Sequence, residues 1–295
     1  HQRNNVKIES GDTMILYKNT FDNIKTIGYD FLIEDSYYCQ NNFAVVADGI
    51  TRDPIGIKNF NSISFEERIV NYPNPSGSSM AANLICKIFE ENYSNIINKK
   101  ISLKDVFIKA NEEVKKLNDI HIKVCDYLEN DYYGAVGASA LIEDNNLHYS
   151  YICDCGVAVF DKNGDLIFKT DDDMEKVNKH FDTGSFTWNQ PEARVIVRKN
   201  YRNKPNNEYS YGAITGESEF EYYLKEGSLK LNDSDIVIVY SDGFSNYLFD
   251  KDFYNNLISL INGDNSTFQN YLEKMGNNDY RKYGKEKTLV VMKNG

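Results

Sequence analysis

The apolar positions of this chain fall into short blocks with two different periods. Phe43-Ala-Val-Val-Ala47, Gly137 to Ile142, Ile236 to Tyr240 and Leu289 to Met292 are continuous apolar runs of strand length, and they read as buried strands. Leu147 to Phe160 is a longer β-type run, entered through a turn at Asp144-Asn145-Asn146. Lys162-Asn163-Gly164-Asp165 carries the Asn-Gly signal of a tight hairpin and leads into Leu166-Ile167-Phe168. Hairpins imply antiparallel pairing, because parallel strands need long crossovers.

Between these blocks the spacing becomes helical. Ser78 to Ile97 follows Pro75-Ser76-Gly77 and repeats apolar residues at Leu84, Ile85, Ile88, Phe89 and Ile96. Ser102 can cap a helix, with Asp105 three residues on, and Val106, Phe107, Ala110, Val114 and Leu117 form one stripe. A third helix is predicted to open after Asp171-Asp172-Asp173, where negative charge suits a helix N-terminus. A fourth is predicted over Lys251 to Ile261. Asn203 to Asn207 and Gly276-Asn277-Asn278 read as surface loops. No internal repeat or linker divides residues 1–295, so a single domain of α+β class is expected.

Composition narrows the function classes. A net charge of −11 repels nucleic acid phosphates and anionic lipid, so neither is an expected partner. The longest apolar runs fall far short of the roughly 18 residues of a membrane span. The five cysteines are odd in number and lack CxxC spacing, which argues against a disulfide scaffold and a structural zinc site. Cys153 and Cys155, taken as lying on one strand, are expected to share a core face opposite Asp154. A reducing, cytoplasmic setting is the simpler expectation. The chain opens on His1 rather than Met, which leaves room for an upstream segment.

The informative chemistry lies at strand ends. Asp48-Gly49 follows one apolar strand, and Ser241-Asp242-Gly243 follows another. Glu34-Asp35 lies just upstream of the first. A strand locked in the core fixes the side chain at its end, and the following glycine lets backbone carbonyls approach a ligand. Hard cations such as Mg²⁺ and Mn²⁺ take such oxygen ligands, and paired ions can activate water for displacement at phosphorus. Asp-Gly is also a common turn dipeptide, so one occurrence alone is more often a turn than a metal site.

In order and spacing, Glu34-Asp35, Asp48-Gly49, Cys153-Asp154-Cys155-Gly156 and Ser241-Asp242-Gly243 resemble the 2C-type metal-dependent protein phosphatases. In that family an early Gly-x-Arg-x-x-Asn-Glu-Asp segment precedes a strand ending in Asp-Gly; here it reads Gly28-Tyr29-Asp30 through Glu34-Asp35. Gly137-Ala138-Ser139 stands where the family usually has Gly-Thr-Thr, and Tyr211 to Gly216 resembles the segment before the Ser-Asp-Gly strand. The resemblance spans roughly residues 28–292. It implies a sandwich of two antiparallel β-sheets flanked by α-helices, and a phosphoserine or phosphothreonine phosphatase acting on a phosphorylated protein. It also implies a two-ion Mn²⁺ or Mg²⁺ centre with a weaker third ion. By position, Asp48 would bridge the ions and the Gly49 carbonyl would bind one of them. Asp242 would bind the other, Glu34 would act through a metal-bound water, and Asp35 would support the site. Asp154 would serve the third ion. A bridging water or hydroxide would attack phosphorus directly.

The departures from the family pattern are equally specific. The phosphate-binding Arg falls at Asp30, a charge reversal, and Arg52 is the nearest replacement in sequence unless it is a solvated loop arginine. The histidine some members use as a general acid is absent after Asp48-Gly49, and His121, His148 and His180 are no obvious substitutes. Asn246 stands where many members have a second Asp. Lys285 occupies the place of the last metal-binding Asp. Glu286, one position on, is expected to fill that place while Lys285 turns to solvent, with Asp279 as a fallback. These departures motivate the alternative reading: a phosphatase-like binding or regulatory module with little catalysis. A phosphatase of a small metabolite is a further option.

Overall fold

The computed structural model describes residues 14–21, 33–50, 67, 72–128, 130–183 and 191–295. The strands are β1 (Met14–Phe21), β2 (Ser36–Gln40), β3 (Phe43–Gly49), β4 (Ala135–Glu143), β5 (Asn146–Ile152), β6 (Gly156–Phe160), β7 (Leu166–Lys169), β8 (Lys225–Lys230), β9 (Ile236–Tyr240) and β10 (Lys287–Lys293). The helices are α1 (Gly77–Ile97), α2 (Leu103–His121), α3 (Met174–Thr183), α4 (Pro191–Ile196), α5 (Phe253–Ile261), α6 (Asn265–Asn278) and α7 (Tyr280–Tyr283). One sheet has the order β1-β10-β9-β6-β7 and the other β2-β3-β4-β5-β8. These strands pair antiparallel throughout.

The continuous apolar strands are explained by a core on each side. Along β9, Val237 and Val239 enter the core between the sheets, while Ile236, Ile238 and Tyr240 face a second core beneath α5 and α6. Strand β10 divides the same way, with Val290 and Met292 on one side and Leu289 and Val291 on the other. The opposite outer layer is α1 and α2, where Phe43 stacks on Phe89 at 5.8 Å between ring centroids, and Phe89 meets Phe107 edge-on at 4.7 Å. Burying each such ring contributes about 2–3 kcal/mol. The layers therefore run helix, sheet, sheet, helix.

Local chemistry sets the helix starts. Ser76 Oγ accepts from the Ser79 amide at α1. Ser102 and Asp105 form a reciprocal capping box at α2. Asp172 Oδ1 accepts from the Met174 amide at α3, as the acidic run predicted. The Asn163-Gly164 hairpin joins β6 to β7, with Gly164 at a φ of 91°.

Four sequence expectations are corrected. The run from Leu147 to Phe160 is not one strand, because β5 belongs to one sheet and β6 to the other. Cys153, at a φ of 69°, turns the chain between them, so the alternation expected across Cys153-Asp154-Cys155 does not apply, although both thiols are buried. Gly276-Asn277-Asn278 is the last turn of α6 rather than a loop, and α6 is started by Asp264 accepting from the Thr267 amide. Asn203 is fully buried rather than on the surface, with Nδ2 donating to the Ala213 carbonyl.

Next to Asn203 lies Arg202, the largest fully buried side chain among the described residues. Its guanidinium grips Asp131 with two parallel bonds, of 2.9 and 2.7 Å. Arg198 Nε approaches the same carboxylate at 3.3 Å. This cluster ties the segment after α4 to the approach to β4.

Candidate acidic centre

Strand register gathers the motif residues at one end of the sandwich. Ser36 pairs with Ala47, so continuing the ladder brings Asp35 alongside Asp48. Gly156 pairs with Tyr240, which likewise brings Asp154 alongside Asp242. Glycines permit the crowding. A Cβ on Gly49 would lie 2.6 Å from Ser78 Cβ at the start of α1. A Cβ on Gly243 would lie 2.1 Å from the Glu286 carbonyl oxygen, so only glycine lets the segment before β10 pass this close.

Several of the acids are held by protein donors. Glu34, 1% exposed, accepts at Oε1 from the hydroxyls of Tyr72 and Ser76. Asp35 Oδ2 accepts from Ser241 Oγ and Thr288 Oγ1, each at 2.7 Å. Ser241 Oγ in turn accepts from the Thr288 amide at 2.8 Å. Glu286 is buried, and its Oε1 accepts the backbone amides of Glu34 and Asp35 at 2.8 and 2.9 Å. Glu286 thus positions the Glu34-Asp35 backbone.

The expectation that Lys285 turns away is corrected. Its ammonium donates to Asp242 Oδ2 in a close ion pair, although about half of the side chain is exposed. Alternation would have separated Lys285 from Glu286 only inside a strand, and β10 begins at Lys287. The Lys287 ammonium, itself buried, donates to the Lys285 carbonyl and lies 5.8 Å from the centre of the Tyr247 ring.

The charges act on one another. Burial, then the Asp242 and Asp172 carboxylates, push the Asp154 carboxyl up to about 7. Burial and then Asp242 also raise Asp172. Asp242 holds the Lys285 ammonium well above its ordinary value, and Asp154 and Asp48 act in the same direction. Lys285 therefore sits in the combined field of Asp48, Asp154 and Asp242.

The other motif residues lie apart or do other work. Asn246 Nδ2 donates to the Lys282 carbonyl. Asp279 caps α7 by accepting from the Lys282 amide. His121 stacks on Tyr133 and His180 on Tyr209, while His148 is exposed on β5. Gly28, Asp30 and Arg52 fall outside the described residues. Sequence reasoning missed the hydroxyl clamp of Tyr72, Ser76, Ser241 and Thr288. Its one legible signal is that Ser241 and Thr288 directly flank the Asp242 and Lys285-Glu286-Lys287 motifs.

Contacts at this centre compete with a two-ion arrangement. Among the described residues, no three His, Cys, Asp or Glu side chains are arranged to hold a metal ion. Lys285 places a positive charge on Asp242, and Glu286 Oε1 is committed to two amides.

No protein-family model matches the sequence, and neither does any curated protein. Solved structures do match in fold. The PPM Ser-Thr phosphatase MsPP from Mycobacterium smegmatis has a TM-score of 0.56 at 14% identity, covering 96% of this chain and 100% of that one. The serine/threonine phosphatase PstP/Ppp of Mycobacterium tuberculosis has a TM-score of 0.54 at 16% identity, covering 88% and 91%. The catalytic domain of PstP in complex with two manganese ions has a TM-score of 0.51 at 15% identity, covering 88% and 90%. Two antiparallel five-stranded sheets between helical layers, with acidic strand ends gathered at one edge, give this chain the fold of the 2C-type (PPM) serine/threonine phosphatases.

Proposed function

We propose that this chain is a regulatory module of the 2C phosphatase fold that engages a protein partner and hydrolyses phosphoserine or phosphothreonine weakly or not at all. The observation that carries this reading is the Lys285 ammonium on Asp242. A divalent ion at Asp242 would have to displace that ammonium and then do without the carboxylate that the resemblance calls for at position 285. Each missing oxygen ligand leaves more of the ion's dehydration cost uncompensated. The sequence departure at Asp30, a carboxylate where the resemblance calls for a phosphate-binding arginine, points the same way.

A second reading is favoured by a specific feature. Asp48-Gly49, Asp154 and Asp242 keep the positions that the resemblance assigns to metal ligands, at one end of the sandwich. Under this reading the chain is a Mn²⁺- or Mg²⁺-dependent phosphoprotein phosphatase. Its ions would be held by Asp48, the Gly49 carbonyl and Asp242, and Arg52 would meet the phosphate. One measurement separates the two: turnover of phosphoserine and phosphothreonine peptides and of p-nitrophenyl phosphate across a Mn²⁺ series, against an EDTA control. The regulatory reading expects no Mn²⁺-dependent rate. An EDTA-sensitive rate that Arg52→Ala weakens through KM would establish the enzyme.

A further inference from the structure

We infer that Lys285 is the built-in cation of the acidic centre, occupying with its ammonium the position that a divalent ion would take against Asp242. The inference rests on the regulatory reading and deepens it by naming the group that pairs with Asp242. Four observations support it. The ammonium is bonded to Asp242, in the field of Asp48 and Asp154. The Lys285 carbonyl is tied down by the buried Lys287 ammonium. The next residue, Glu286, is anchored by two backbone amides from the segment leading into β2. Its backbone passes Gly243 with no room for a methyl group.

This is a held cation rather than a surface lysine that happens to find an acid. The chain immediately after Lys285 is fixed in the frame that also fixes Glu34 and Asp35, so the ammonium reaches Asp242 with less further loss of backbone freedom. It carries one positive charge where a metal ion carries two, and it cannot exchange with solvent. Asp242 is therefore paired whatever the metal concentration. An ammonium donates hydrogen bonds but offers no Lewis-acidic face to a water, so the centre is kept together without the capacity to activate one.

The test is calorimetric titration of the whole chain with MnCl₂, paired with thermal unfolding in Mn²⁺ and in EDTA. The wild type is expected to bind Mn²⁺ no tighter than about millimolar and to unfold at the same temperature in both buffers. Lys285→Asp, which replaces the ammonium by a carboxylate, is expected to tighten Mn²⁺ binding at least roughly tenfold and to make the unfolding temperature rise with Mn²⁺. Lys285→Met keeps a similar side-chain length without the charge. It is expected to shift in the same direction by less, and it serves if the aspartate variant fails to fold. Micromolar Mn²⁺ binding by the wild type, or unchanged binding in whichever variants fold, overturns the inference. The two ideas fail separately: a wild type without turnover whose variants gain no metal leaves the regulatory reading standing and removes Lys285 as its cause.

Discussion

Glu286 offers the sharpest check on how the centre is assembled. Its carboxylate is 5% exposed and accepts two buried backbone amides, from Glu34 and Asp35. Glu286→Ala strands both donors. A buried donor left without its acceptor costs about 1–3 kcal/mol. The site lies at the end of the sandwich, where water can partly replace the lost oxygen, so the lower half of that range applies to each amide. The expected loss is about 2–4 kcal/mol in total. Glu286→Gln keeps an acceptor oxygen in nearly the same place and loses only the charge assistance, for a cost of about 1 kcal/mol. Equilibrium urea unfolding followed by far-ultraviolet circular dichroism reads both values from the midpoint, provided the slope is unchanged. If the alanine variant lies within about 0.5 kcal/mol of wild type, or if glutamine is as damaging as alanine, the positioning role is wrong. Metal binding separates the roles further, since a true ligand would lose Mn²⁺ affinity on Glu286→Gln with little loss of stability.

Three more outcomes follow from the same structure. Asp131→Ala leaves the buried Arg202 guanidinium without its bidentate partner, and the expected loss is about 3–5 kcal/mol in the same urea assay; burial works to raise the Asp131 pKa and Arg202 outweighs it, so the net shift is downward. The Asp154 pKa rises from 3.8 to about 7 on folding, so this group favours the native state fully below pH 3.8 and loses that contribution as pH climbs to about 7; Asp154→Asn should flatten the decline and raise stability at pH 8 by on the order of a few kcal/mol, and an unaltered pH profile would count against the shift. Gly243→Ala forces a methyl group against the Glu286 carbonyl and should cost about 1–3 kcal/mol as an overpacked site, while wild-type stability would mean that the segment before β10 moves aside freely.

Much of the architecture could be read from hydrophobic periodicity because its central strands are buried on both faces. Strands β3, β9 and β10 are continuous apolar runs for that reason. Strands β1, β2 and β8 were missed because they lie at sheet edges, and β8, Lys-Glu-Gly-Ser-Leu-Lys in sequence, alternates between half-exposed and exposed residues. The change of sheet at Cys153 was hidden by apolar sequence on both sides of it. Within the acidic centre, Asp48, Asp154 and Asp242 stood out because an acid beside a glycine, or between two cysteines, breaks an otherwise apolar stretch of sequence. The Lys285 contact did not stand out, because it depends on where β10 starts, and strand ends are the least legible feature of a sequence. The hydroxyl clamp on Asp35 was invisible for a different reason. Serine and threonine are common, and only the folded register brings Ser241 and Thr288 to one carboxylate.

The pairing of β1 with β10 also bears on how the chain is made. Thr20 and Thr288 meet hydroxyl to hydroxyl although 268 residues separate them. At about 5–20 residues per second, a ribosome takes roughly 13–54 s to cover that interval. The sheet that ends at β8 can assemble from residues already synthesised, with α1 and α2 against it. The other sheet cannot, since β10 lies between β1 and β9 and is the last of its strands to emerge. Until then β1 has no partner and β9 has an open side, so the nascent protein passes through a half-closed stage with unpaired strand edges, the period in which a chaperone would have most to protect.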